Sequence, residues 1–335
     1  MSFKKIKNIT PVKISNPTYV DLYAPWNLKK IGEIECIGKK DVDRILNIAS
    51  KTFLDRKKYL SKAERLNILN NCKDKLEKNT RKFSDLIALE GGKPLKDSKI
   101  EVNRAINGLE LCVEALKKSH GTEIPMNLNE ASANKMAFTK KFPIGPVLAI
   151  SAFNHPLNLI VHQVGPAIAA GCPIIIKPSL DTPATCYEFL KLLFKCGLPK
   201  EFCQMINLKD HLITQKIVSD PRISFLSFIG SSDVGWKLKS MLAPGARCAM
   251  EHGGVGSVII DNGADLKKLL PSILRGAFYH SGQVCVSIQK VIIHETLIDE
   301  FICLVEKSIK KLKIGNPRKI TTDVGPLIRP SEVNR

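Results

Sequence analysis

The stretch PIGPVLAISAFNHPLNLIVHQVGPAIAAGCPIIIK, residues 143–177, decides the fold. Val147 to Ile150 is a short continuous apolar run, the pattern of a strand buried on both faces. Apolar residues then recur at helical spacing from Leu157 to Ala170, until Gly171-Cys172-Pro173 breaks the pattern. Ile174-Ile175-Ile176 reads as a second buried strand. Downstream, Thr182 to Lys195 reads as a helix stopped by Gly197-Leu198-Pro199, Ile223 to Ile229 as a strand and Ser232 to Leu242 as a helix. Strand and helix in alternation predict an α/β fold with a Rossmann-like open parallel sheet.

Upstream, residues 39–120 read as helices. Val42, Ile45, Leu46 and Ala49 fall at helical spacing, and Ser61-Lys62-Ala63-Glu64 fits a capping box. Gly91-Gly92-Lys93-Pro94 punctuates the path before a helical pattern over Val102 to Lys118. Gly121 to Lys141 turns polar with wider apolar spacing, which suits a strand hairpin.

At 335 residues the chain is long enough for two compact domains, and its 44% hydrophobic and 25% charged residues suit a folded rather than a disordered protein. No apolar run is long enough to span a bilayer or to act as a secretory signal, so a cytoplasmic location and no membrane partner are expected. The net charge of +19 comes from scattered lysines without interleaved aromatics, which argues against a nucleic-acid partner. Ten cysteines form no Cys-x-x-Cys pair and have no His at ligand spacing, so no metal site is expected and the thiols should be reduced.

Five segments carry candidate chemistry, and each has a plainer structural alternative. Gly230-Ser231, followed by Val234, lies at a strand-to-helix turn that suits a pyrophosphate or simple capping. Cys285 in Gly282-Gln283-Val284-Cys285 is a nucleophile or a packed thiol. Glu251 in Met250-Glu251-His252-Gly253-Gly254 is a general base on a mobile loop or a surface carboxylate. Asn154 caps the following helix or donates its amide to an oxyanion. Lys177, with Ser179, stands at the C-terminal end of a strand, where open sheets bind ligands, or on a solvated loop.

The order and spacing of Asn154, Lys177, Gly230, Glu251 and Cys285 resemble the aldehyde dehydrogenase superfamily. Gly91 to Leu95, Val164 to Ala167, Ala169 to Gly171 and Asp323 to Leu327 add matches, so the resemblance runs from about residue 20 to the last residue. It implies a thiol-using enzyme of the hydrolytic branch, with NAD or NADP as cofactor and a small aldehyde as substrate. Cys285 would attack the aldehyde carbon, Asn154 and the Cys285 N–H would hold the oxyanion, and Glu251 would activate water. Lys177, Ser179, Gly230, Ser231, Val234 and Gly253 would contact the cofactor, and the Gly253-Gly254 pair would give Glu251 mobility.

Leu180 stands where NAD-preferring members often carry a glutamate, so dual use or NADP preference is expected. Glu251 opposes the coenzyme A-acylating alternative, whose members typically lack a carboxylate there. The surroundings of Asn158 and Asp323 point toward substrates such as lactaldehyde or semialdehydes. The expected organisation is a cofactor domain from residues 1–120 and 143–253, a hairpin of the oligomerisation region at 121–142, and the first part of a catalytic domain at 254–335. Family members normally continue well past Arg335 and assemble as homo-oligomers, so an inactive nucleotide-binding fragment is the competing expectation.

Overall fold

The computed structural model describes residues 5–334. It opens on an antiparallel pair that sequence patterning did not reveal, β1 (Thr18–Tyr23) with β2 (Lys30–Cys36). Four helices follow: α1 (Lys39–Leu54), α2 (Lys62–Lys78), α3 (Thr80–Gly91) and α4 (Leu95–Lys118). The capping box forms as expected, with Ser61 Oγ accepting from Glu64 N and Glu64 Oε2 accepting from Ser61 N. A short hairpin, β3 (Glu123–Ile124) with β4 (Ala137–Phe138), then leads away from the helices.

The alternating part comes next. It contains β5 (Val147–Ile150), α5 (Asn158–Ala170), β6 (Ile174–Lys177), α6 (Pro183–Phe194), β7 (Cys203–Met205), α7 (His211–Val218), β8 (Phe225–Gly230), α8 (Ser232–Ser240) and β9 (Arg247–His252). The five strands form one parallel sheet in the order β7-β6-β5-β8-β9. Every residue of β5 is buried. Val147 and Ala149 enter the apolar layer shared with α2 to α6, while Leu148 and Ile150 enter the layer shared with α1 and α7. The period-two alternation of a strand sends its side chains to both faces, which is why the run reads as continuously apolar.

The chain winds from β5 outward to β6 and β7, then returns to β8 on the other side. The reversal opens a crevice beyond the C-terminal ends of β5 and β8, the place where open sheets receive ligands. The remaining elements are β10 (Gly256–Ile260), α9 (Leu266–Phe278), β11 (Ile288–Ile293) and α10 (Ile298–Ile309). β10 and β11 pair in parallel, with α9 as their crossover. Among the described residues, no helix is long and apolar enough to cross a membrane.

Two buried carboxylates on the helical layer cap helices elsewhere in the chain. α5 has no side-chain cap of its own; Glu101 Oε1 on α4 accepts from Leu157 N at 2.9 Å and Asn158 N at 3.2 Å. The other Glu101 oxygen pairs with the fully buried Lys93 ammonium. Glu90 on α3 does the same for α6, accepting from Ala184 N and Thr185 N at 2.8 Å each and from the Thr185 hydroxyl. These contacts satisfy backbone donors that a buried helix start would otherwise leave orphaned.

At the other side of the crevice, His252 closes β9 and packs edge-on against Phe228 and Trp236, with ring centroids 6.0 and 5.0 Å away. The ring fills the space beside Gly235 on α8, where an added Cβ would fall 2.2 Å from His252 Nε2.

Burial pushes the Glu90 carboxyl up to about 7, against the donors that favour its charged form. A folded-state pKa above the ordinary 4.5 stabilises the fold fully below that value, and the contribution is lost as pH rises through about 7. Glu90→Gln, which cannot ionise, is therefore expected to gain on the wild type between these pH values. Urea midpoints at both ends check this, and a constant difference contradicts it. Gly235→Ala is expected to cost about 1–3 kcal/mol through overpacking. The double variant with His252→Ala should recover most of that loss in the same assay.

Candidate active site

Three elements converge where the crevice meets α9 and β11. After β5 the chain turns through Ser151 to Asn154, whose amide Nδ2 donates to the Gln283 carbonyl at 2.9 Å. The Asn154 side chain thus reaches across to the segment carrying Cys285 and does not cap α5. The helix-cap alternative is replaced by Glu101.

The Cys285 segment is held in an unusual backbone path. His280, Ser281 and Gly282 have consecutive positive φ values of 50°, 59° and 74°. For the non-glycine residues this left-handed conformation costs about 1–3 kcal/mol each and needs surrounding support. Support comes from residues 325–328. Ser281 Oγ donates to the Gly325 carbonyl at 2.8 Å, and Gln283 Oε1 accepts from Ile328 N at 2.9 Å. The 325–328 segment itself lies against the turn after α3: a Cβ on Gly325 would meet the Gly92 carbonyl at 2.1 Å. Two motifs far apart in sequence, Gly91 to Leu95 and Asp323 to Leu327, therefore pack together behind the Cys285 turn.

Beyond this path, Val284 to Ser287 forms a tight turn, with Ser287 N donating to the Val284 carbonyl at 3.0 Å. Ser287 is buried, and its hydroxyl donates to the Gly276 and Ala277 carbonyls at the end of α9. That leaves the Cys285 thiol exposed at the tip of the turn.

Glu251 is not on a loop. It lies in β9, paired with Ile229 of β8, and its side chain is exposed. Only the residues after His252 leave the sheet. Gly254 returns to the Cys285 turn: an added Cβ there would lie 3.4 Å from the Cys285 carbonyl oxygen, and Gln289 donates to the Gly254 carbonyl at 3.3 Å. Neither Gly253 nor Gly254 has a positive φ.

The remaining sequence candidates are Lys177, Ser179, Gly230, Ser231, Val234 and Gly253. Lys177 ends β6, and its neighbour Ser151 N donates to its carbonyl at 3.0 Å. β6 and β9 are three strand spacings apart, about 14 Å, so Lys177 and Glu251 bound opposite ends of the crevice. Burial lowers the Lys177 pKa, and among the described residues its ammonium has no hydrogen bond or ion pair. Ser179 is bonded to Asp181, whose carboxylate is held by Arg329. Gly230 ends β8, and Ser231 precedes α8 without making a side-chain cap. The exposed Val234 and Gly253 border that helix start and the strand end beside it.

What lies on the other side of the turn is not legible from local residue spacing. Val284 and Val286 open onto a cleft of about 370 Å³ between α4 and α9. Arg104 and Arg275 line it, with His155 and Tyr279 stacked, ring centroids 6.0 Å apart. Burial, followed by the charges of Lys93 and Arg104, pushes the His155 ring down to about 2, so it is neutral. His280, fully buried beside Lys93, is likewise held neutral, chiefly by burial. The i, i+4 spacing that turns Ile100 and Arg104 to one face is visible in sequence, but the element they face is not. No group of three or more His, Cys, Asp or Glu side chains placed to hold a metal ion occurs among the described residues.

Residues 12–335 match the model of the aldehyde dehydrogenase family. The chain is 33% identical over 303 residues to a 3-sulfolactaldehyde dehydrogenase of Priestia aryabhattai, covering 90% of this chain and 63% of the relative. It is 32% identical over 313 residues to a lactaldehyde dehydrogenase of Methanocaldococcus jannaschii, covering 92% and 66%. The chain thus spans just under two thirds of the length of these relatives.

Among solved structures, aldehyde dehydrogenase 21 of Physcomitrella patens, in complex with the reaction product succinate, superposes with a TM-score of 0.91 at 30% identity, covering 100% of this chain and 70% of that one. A glyceraldehyde-3-phosphate dehydrogenase of Methanocaldococcus jannaschii complexed with NADP gives 0.89 at 31% identity, covering 96% and 69%. In sequence and in fold, the chain belongs to the aldehyde dehydrogenase family.

Proposed function

We propose that this chain oxidises a small aldehyde to the carboxylic acid with NAD(P)+, using Cys285 as nucleophile, Asn154 as oxyanion donor and Glu251 as general base. The observation that carries the proposal is the meeting at one exposed thiol of three separate segments: the Asn154 amide on the Gln283 carbonyl, Gly254 against the Cys285 carbonyl, and the clasp from residues 325–328.

The Cys285 thiolate attacks the aldehyde carbon, forming a C–S bond as the carbonyl π pair moves to oxygen. An amide nitrogen carries two N–H groups. One on Asn154 is used on Gln283, and the other, with the Cys285 N–H, stabilises the oxyanion. Bound NAD(P)+ supplies the hydride acceptor for oxidation of that tetrahedral carbon to the thioester. Glu251 then takes a proton from water as the water oxygen attacks the thioester carbon. The C–S bond breaks, the acid leaves and the thiolate is restored.

The crevice residues suit a dinucleotide. The unpartnered Lys177 ammonium and Ser179 would hold the adenosine ribose. The α8 start after Gly230 and Ser231, with Val234 beside it, would receive the pyrophosphate, and Gly253 allows close approach at the nicotinamide end. We assign residues 1–120 and 143–253 to the cofactor domain, 121–142 to an oligomerisation hairpin and 254–335 to the catalytic domain. The relatives' names, 3-sulfolactaldehyde and lactaldehyde dehydrogenase, support a short, oxygenated aldehyde as substrate.

Mixing enzyme, aldehyde and NAD(P)+ in stopped flow is expected to give a burst of NAD(P)H equal to the active thiol. Cys285→Ser abolishes it. Glu251→Gln keeps the burst and slows steady turnover by about 10²–10⁴-fold, the usual contribution of general base catalysis. A steady rate unchanged in Glu251→Gln removes that residue from the proposal.

A further inference from the structure

Helix α2 packs on α4, α5 and α6, and its C-terminal half meets the turn that ends α6. Lys75 Nζ donates to the Lys195 carbonyl at 2.7 Å, and a Cβ on Gly197 would touch the Ile68 side chain at 4.0 Å. Two cysteines meet at this junction. Cys72 is fully buried on α2, while Cys196 is 8% exposed and lies in the turn between the exposed Lys195 and Gly197. The two thiols share a hydrogen bond, and the Lys75 ammonium donates to the Cys196 sulfur.

The pair is asymmetric. The hydrogen bond with Cys72, helped by the charge of Lys75, holds the Cys196 thiol below its usual range against partial burial, whereas burial raises Cys72. Cys196 is therefore the sulfur that ionises first, and a thiolate is the reactive form of cysteine. Cys186 and Cys203 also neighbour each other but lack these features. Both are fully buried, burial pushes both thiols up, and the charged group acting on Cys186 is the Glu90 carboxyl rather than an ammonium.

We propose that Cys72 and Cys196 form a redox-active thiol pair, which hydrogen peroxide converts to a disulfide joining α2 to the end of α6. The inference does not depend on the function proposed for Cys285. The Cys196 thiolate attacks one peroxide oxygen. An S–O bond forms, the O–O bond breaks, and the other oxygen leaves as water with a proton from solvent. Sulfur is oxidised to the sulfenic acid and peroxide is reduced. The Cys72 sulfur then attacks the Cys196 sulfur: the S–S bond forms, the S–O bond breaks, and hydroxide leaves with the Cys72 proton as a second water. Two thiols and one peroxide give one disulfide and two waters. The sulfurs draw together in this step, and Gly197, with φ of 98°, lets the turn follow. A crosslink between residues so far apart in sequence restricts the unfolded chain, so the oxidised protein is the more stable form.

The test treats the reduced protein with stoichiometric hydrogen peroxide, caps the remaining thiols with iodoacetamide and reads the peptides by mass spectrometry. A linked Cys72–Cys196 peptide is expected, lost on adding dithiothreitol, together with a urea midpoint that rises on oxidation and falls again on reduction. In Cys72→Ser the sulfenic acid on Cys196 persists and is trapped by dimedone. In Cys196→Ser, Cys72 stays a free thiol. Lys75→Gln slows the linkage by about two- to fivefold, the usual worth of one exposed charge pair.

Peroxide that oxidises the exposed Cys285 and Cys303 while Cys72 and Cys196 both remain free thiols overturns the inference, as does either of the pair linked to a different cysteine. Oxidation of Cys72 at the wild-type rate in Cys196→Ser overturns the assignment of Cys196 as the attacking sulfur.

Discussion

The arrangement around Cys285 depends on a buried ion pair, Lys93 with Glu101, at the first turns of α4. Neither charge could stay in the interior alone, since an unpaired buried ion costs several kcal/mol. Paired, they do separate tasks. The second oxygen of Glu101 holds the N–H groups that open α5, which fixes where the chain after β5 descends and so where Asn154 points. Lys93 lies beneath the left-handed turn at His280 and keeps both His280 and His155 uncharged, assisting burial. One interaction therefore positions the amide on one side of the thiol and helps keep the buried histidines beside the thiol's turn neutral on the other.

Support for a strained turn has to come from rigid neighbours. Here it comes from a layered contact: the Gly92 turn against Gly325, then residues 325–328 against Ser281 and Gln283. The outcome is a thiol at the tip of a tight turn with different surroundings on its two sides. Toward the sheet lies an elongated crevice bounded by Lys177 and Glu251. Toward α4 and α9 lies a small cationic cleft. A reaction between a dinucleotide and a short aldehyde needs two such approaches to one sulfur atom.

Much of this could be read in the sequence, for physical reasons. Strands buried on both faces are continuous apolar runs, so β5 and β6 were visible, the apolar residues between Ile223 and Ile229 marked the half-buried β8, and Ser61 with Glu64 announced the start of α2. β1 and β2 alternate too weakly, and β7 at Cys203–Met205 is too short to show a period. For Asn154 and Cys285, local residue types and spacing were enough to nominate them. Glu251 was expected on a loop and lies in β9, because the following glycines hid the pairing of β9 with β8. The caps of α5 and α6 could not be foreseen, since Glu101 and Glu90 act across 56 and 94 residues. Arg104 and Arg275 were silent for the same reason: only packing brings α4 opposite α9.

The central claim is that one particular sulfur bonds to substrate carbon. The direct measurement is peptide mass spectrometry after rapid acid quench of the enzyme with aldehyde and NAD(P)+. The account predicts an acyl group on the peptide containing Cys285, absent when NAD(P)+ is withheld. Cofactor reduction with that peptide unmodified, or with the acyl group on another cysteine such as Cys303, would contradict it.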